Sequence, residues 1–170
     1  MITFKRISYK NFLSTGNQPI VVDLNMSQTT LVVGTNGSGK STLLDALCFV
    51  LFNRPFRIIK KEQMVNTINN GDCVVEVDFE VGTKKYKVRR GIKPNLFEIF
   101  CDGKKLNQDA NNIDYQKYLE QNIMKLNYRS FIQVVLLGSS PYEPFMKMKP
   151  RYRREVVEEI LDIRVFGLMD

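Results

Sequence analysis

The sequence predicts an α/β fold with a mixed sheet, an antiparallel β-subdomain and a helical C-terminal part. Three observations predict it. A β-branched run, Thr29-Thr30-Leu31-Val32-Val33, leads into a glycine-rich loop and then a helix apolar on nearly every side. Residues 73–101 alternate apolar and charged side chains, with turn residues between the runs. Two later stretches, from Asp114 and from Pro150, carry apolar residues at helical spacing.

The loop is Gly34-Thr35-Asn36-Gly37-Ser38-Gly39-Lys40-Ser41-Thr42, which fits the phosphate-binding pattern G-x-x-x-x-G-K-[ST]. Glycines let the backbone curl so that successive N–H groups converge on one phosphate. The following helix adds the positive end of its dipole. Lys40 supplies a point charge for the terminal phosphates, and the Ser41 hydroxyl is of the type that ligates Mg²⁺. A structural β–α turn does not require a Lys-Ser pair after its last glycine. The apolar helix comprises Leu43, Leu44, Ala46, Leu47, Phe49, Val50 and Leu51, and Pro55 ends it.

The other elements follow in order. Ile2, Phe4, Ile7, Tyr9 and Phe12 alternate imperfectly with basic residues, predicting a strand with a bulge near Lys5-Arg6. Ser14-Thr15-Gly16-Asn17 is a turn, and residues 20–24 form a second strand. The basic stretch from Arg54 to Lys61 reads either as a solvated connector or as a nucleotide- or DNA-facing segment. Cys73, Val75, Val77, Phe79 and Val81 face one way; Val74, Glu76, Asp78 and Glu80 face the other. Lys84 to Arg90 returns with Tyr86 and Val88 inside and Lys85, Lys87 and Arg89 outside, so the acidic and basic faces oppose each other. Residues 95–101 add a strand, closed by the hairpin signal Asp102-Gly103. Asp114 caps a helix carrying Tyr115, Leu119, Ile123 and Leu126. Phe131 to Leu137 reads as an apolar strand interrupted by Gln133, and Gly138 to Pro141 as a loop. Pro150 opens a last helix whose stripe is Val156, Val157, Ile160, Leu161 and Ile163.

Composition sets bounds. The chain has 170 residues and a formal net charge of +7, which favours acidic partners such as nucleic acid. Its three cysteines are odd in number and lack ligand spacing, so disulfide and zinc readings are poor and a reducing compartment is expected. The first residues do not form a signal peptide, and no apolar run approaches membrane-spanning length. Histidine is absent, which excludes Ser/His and Cys/His nucleophile systems and histidine metal sites. An ATPase built on this loop also needs an apolar run ending in Asp on another core strand. Glu76 and Asp78 lie on an exposed alternating face, and the segment from Glu158 to Asp162 is helical in pattern. Either Mg²⁺ is held unusually or the remainder of the site lies elsewhere.

Four pieces together carry a resemblance: Lys10-Asn11-Phe12; the loop with Asp45-Ala46; Ser130 to Leu136; and Pro144-Phe145-Met146 with Arg153-Arg154-Glu155 and Ile160-Leu161. They resemble the N-terminal ATP-binding lobe of the SMC-like, SbcC-type ATPases of recombination and double-strand-break-repair nuclease complexes, which include phage members. The resemblance implies a P-loop NTPase fold of the ABC-ATPase head type, split in sequence. Residues 1–149 would form a head lobe with the phosphate loop and Q-loop, and residues 150–170 would begin a coiled coil. A C-terminal lobe of the same ATPase would then supply the second acidic motif, catalytic glutamate and switch histidine. Two such heads would sandwich two ATP molecules, so no catalytic set is complete in this chain. The expected cofactors are ATP and Mg²⁺. Residues Gly34 to Thr42 would hold the triphosphate, and Ser41 and Gln133 would face Mg²⁺. Many relatives carry arginine where Leu13 stands, and Ser14 or Thr15 could approach a phosphate there instead. The expected partners are the C-terminal lobe, a second head, a nuclease subunit and double-stranded DNA, in the cytoplasm and with no membrane. Two other readings stay open on the residues alone: a self-contained P-loop phosphotransferase, and a non-catalytic DNA- or partner-binding module using Lys84 to Lys93 and the basic start of the last helix.

Overall fold

A computed structural model describes residues 2–106, 112–136 and 143–161. It falls into two compact units, Met1–Asn112 and Ile113–Asp170.

The first unit is built on one six-stranded sheet in the order β2-β1-β3-β4-β5-β6, with every pairing antiparallel. β1 is Ile2–Lys10, β2 Ile20–Asp23, β3 Cys73–Val81, β4 Lys84–Ile92, β5 Leu96–Cys101 and β6 Lys104–Lys105. The register of β1 against β3 shifts between Phe4 and Arg6, where the uneven alternation placed a bulge. On the inner face, Ile7, Val75, Val77, Phe79, Val88 and Ile99 are buried. On the outer face Glu76 stands opposite Arg89, Asp78 opposite Lys87 and Glu80 opposite Lys85. Arg89 Nε lies 2.8 Å from Glu76, and Lys87 Nζ 3.5 Å from Asp78. The alternating charges are therefore cross-strand pairs, as the opposed faces required.

Helix α1, Lys40–Phe52, packs on β3 and β4. Ala46 and Cys48 through Leu51 have no exposed surface, which explains why this helix shows no polar face. Asn53 closes it in the left-handed region (φ 58°), its N–H donating to Phe49 O at 2.8 Å. At the same end Arg90, buried on β4, donates from Nε to Val50 O at 3.0 Å and lies 3.7 Å over the Phe97 ring. Its positive charge sits where the helix dipole is negative.

Four expectations change. Thr29 to Val33 forms no strand with any described residue. Leu31, Val32 and Val33 are 83%, 53% and 77% exposed, with no ladder over them among the described residues. Asp114 lies in the first turn of α2, Asn112–Tyr118, so it meets the helix dipole from inside and is not the cap. That helix continues as a π-helix, Leu119–Met124, burying Leu119 and Ile123 as the spacing predicted. Phe131 to Val134 is helical, part of α3, Tyr128–Val134. A short apolar run fits strand or helix equally, and here Asn127 decides: its Oδ1 accepts from Ser130 N at 2.9 Å as an N-cap. Helix α4, Pro150–Ile160, starts at the proline as expected. Of its anticipated stripe, Val156 is buried while Ile160 and Leu161 are exposed. Glu159 is buried instead, accepting from Asn127 Nδ2 at 2.8 Å. Ile163 and the loop Gly138 to Pro141 lie outside the described residues.

Candidate functional site

Three glycines shape the loop before α1. Gly37 (φ 85°) and Gly39 (φ 92°) occupy the left-handed region that side chains disfavour. A Cβ on Gly34 would lie 2.5 Å from Ser38 Oγ, so a residue with a side chain there would force the Ser38 hydroxyl to turn away. Ser38 N donates to Thr35 O at 3.2 Å and Thr42 N to Gly39 O at 3.0 Å, closing two successive turns. Lys40 Nζ reaches back across the loop to Gly34 O (2.6 Å) and Thr35 O (2.7 Å). The ammonium is thus fixed over the curl of the loop.

Nothing at the start of α1 opposes an anion. Its first turn carries no acidic residue, and no side chain caps Gly39. Asp45, fully buried one turn further on, is already neutralised. It accepts from Arg57 N at 2.9 Å and Arg57 Nε at 2.7 Å. A buried carboxylate needs such partners. Through this pair Arg57 is tied to α1, and it lines the cavity beside the loop.

That open cavity is about 550 Å³ and is lined by Asn36, Gly37, Gly39, Lys40, Ser41 and Thr42 on one side. Leu13, Ser14, Arg57, Ile59, Gln63, Val65 and Thr67 line the rest. Ser14 is therefore brought to the phosphate loop. Thr15 is buried and engaged: its Oγ1 donates to Phe12 O at 2.7 Å and accepts from Phe12 N at 2.9 Å. Gln133 belongs to the second unit, on α3, where its Nε2 donates to Glu143 O at 2.7 Å. Gln63, Val65 and Thr67 had no motif to mark them; they reach the cavity through the bridge of Phe12 with Val65.

The donor set suits a polyphosphate with Mg²⁺. Curled backbone, Lys40 and a helix start serve the phosphates. Ser41 offers one hard oxygen, as Mg²⁺ held mostly by phosphate and water requires. Among the described residues no group of three His, Cys, Asp or Glu side chains could hold a metal without the phosphates.

The sequence matches the family described as "AAA domain" over residues 6–164. The chain belongs to that family, and the ATPases it resembles are of the SMC/Rad50/SbcC type. It is 43% identical to exonuclease subunit 2 of Escherichia phage RB69 over 172 residues, covering all of this chain and 30% of that protein. It is 29% identical to the DNA double-strand break repair Rad50 ATPase of Thermoplasma volcanium, over 94% of this chain and 18% of that protein. The chain thus spans less than a third of these relatives' length. In fold it is similar to the SMC head domain of Pyrococcus furiosus, with a TM-score of 0.65 at 21% identity, covering 98% of this chain and 44% of that one. The resemblance to SMC-like and SbcC-type ATPases, phage members included, is thereby borne out, as is the ABC-type head fold. ATPase activity is a property of the family. Among the described residues no helix is long and apolar enough to cross a membrane.

Proposed function

We propose that this chain is the nucleotide-binding lobe of a DNA-recombination ATPase. It binds MgATP through Gly34 to Thr42, with Ser41 and Gln133 as the side chains for Mg²⁺. Hydrolysis then requires a C-terminal lobe of the same ATPase and a second head across the nucleotide. The energy drives clamping of double-stranded DNA and end processing by a nuclease subunit, in the cytoplasm, with the helix from Pro150 leading toward a coiled coil. The observation that carries the reading is Lys40 bridging Gly34 O and Thr35 O at the uncapped start of α1. Two facts support the division of labour. The chain has no histidine. Its outer-face carboxylates Glu76 and Asp78 are held against Arg89 and Lys87, not aimed at the cavity beside Lys40. The same pairs weigh against a DNA-binding module built on β4.

Lys40→Ala should weaken MgATP binding by ~1.5–3 kcal/mol, the worth of a charge-assisted contact. Calorimetry showing unchanged affinity would remove the phosphate site. The chain alone should turn over little ATP; robust turnover would overturn the need for a second lobe.

A further inference from the structure

The cavity beside the phosphate loop has a second wall, made from two turns remote in sequence. Leu13 and Ser14 follow β1, while Val65 and Thr67 precede β3. Two buried asparagines join these turns. Asn66, 7% exposed, donates from Nδ2 to Thr15 O at 3.0 Å. Its Oδ1 accepts from Ile68 N (2.9 Å) and Asn69 N (3.1 Å), forming an Asx turn. Asn11, 1% exposed, donates to Asn17 Oδ1 at 3.0 Å and accepts from Asn69 Nδ2 at 2.7 Å. The main chains are tied antiparallel about Phe12 and Val65: Leu13 N donates to Met64 O at 2.6 Å and Asn66 N to Asn11 O at 2.9 Å.

These bonds hold an unfavourable backbone. Leu13 sits at φ 53°, where a branched side chain is disfavoured, and such a residue persists only when its surroundings over-determine it. The two walls also differ in chemistry. The loop side offers an ammonium and backbone N–H groups. The asparagine-held side offers the apolar side chains of Leu13 and Val65 with the hydroxyls of Ser14 and Thr67, and Arg57, Ile59 and Gln63 complete the lining. A nucleoside triphosphate has the same division, anionic at one end and flat, apolar and hydroxylated at the other.

We propose that Asn66 and Asn11 are positioning residues: they lock the turn after β1 to the segment before β3 as one preformed wall for the nucleoside end of the ligand. Preorganisation of this kind raises affinity because the ligand need not order the wall. The proposal rests on the phosphate-site reading above. The test compares MgATP with magnesium tripolyphosphate, which has no nucleoside, by calorimetry on the chain and its variants. Asn66→Asp keeps the oxygen that makes the Asx turn but loses the donor to Thr15 O; Asn66→Ser leaves a shorter hydroxyl that can still accept in the turn, falls short of Thr15 O and adds no charge. Each should lose about tenfold in MgATP affinity, the order expected from one buried hydrogen bond, and about twofold or less for tripolyphosphate. A parallel loss for both ligands would reduce Asn66 to a stability role and overturn the proposal, as would unchanged MgATP affinity. Lys40→Ala should lose both ligands. If the wild-type chain binds neither ligand, the phosphate site itself falls, and the asparagine wall with it.

Discussion

The hairpin sheet and the segment entering the phosphate loop are both apolar runs bounded by turns, yet one is finished and the other is not. β3, β4 and β5 follow each other through short turns and find their partners at once. Phe79 is 1% exposed, lying 5.8 Å from the Phe4 ring and 5.7 Å from Tyr86. Leu31 to Val33 pairs with no described strand and keeps its side chains in water. Local pairing completes itself, whereas a strand that must be flanked by distant segments cannot be completed by its neighbours. In the proposed reading those flanking strands belong to the C-terminal lobe.

The contrast can be broken by mutation. Phe79→Ala should destabilise the chain by ~3–5 kcal/mol, since it empties a fully packed position. A loss under about 1 kcal/mol in urea unfolding would show that the hairpin sheet is not the stabilising core. A pH titration sharpens the same point. Burial pushes the Cys73 thiol up to about 12 from an ordinary value near 9, and pushes Cys48 higher still with help from Asp45. The folded state therefore keeps protons that the unfolded chain releases. This stability is fully present below pH 9 and is lost as pH rises toward 12, with a slope of about 1.4 kcal/mol per pH unit for each thiol. The Cys48→Ala/Cys73→Ala variant should show a flatter decline; an identical slope would refute the assignment. The smallest effect is expected at the unfinished strand. Val32→Ser should change stability by no more than about 0.5 kcal/mol, as an exposed site does. A larger loss in thermal unfolding would mean that Val32 is covered in solution.

What could be read from residues alone follows the same division. Charge alternation located β3, β4 and their register because side chains on a pleated strand declare their face every second residue. The phosphate loop was legible because its glycines and Lys40-Ser41 answer to local geometry. Two helices were harder. Phe131 to Val134 has no period long enough to separate strand from helix, and only the cap Asn127 does so. On α4, Glu159 rather than Ile160 is buried, because Asn127, the N-cap of α3, offers it hydrogen bonds that no periodicity can announce. The cavity was half visible. Lys40 and Ser41 carry a motif, but Val65 and Thr67 arrive by way of Asn66, and a hydrogen bond spanning 51 residues leaves no pattern in the chain.

The two rims of the sheet differ in one more respect. β6 is only Lys104 and Lys105, both exposed, and a short strand of lysines repels another strand edge. At the opposite rim, β2 carries Ile20 and Val21, 42% and 54% exposed, with one side of its ladder unpaired among the described residues. The sheet therefore has a polarity of growth: two exposed lysines guard one rim, while the β2 rim offers an apolar edge to a further strand.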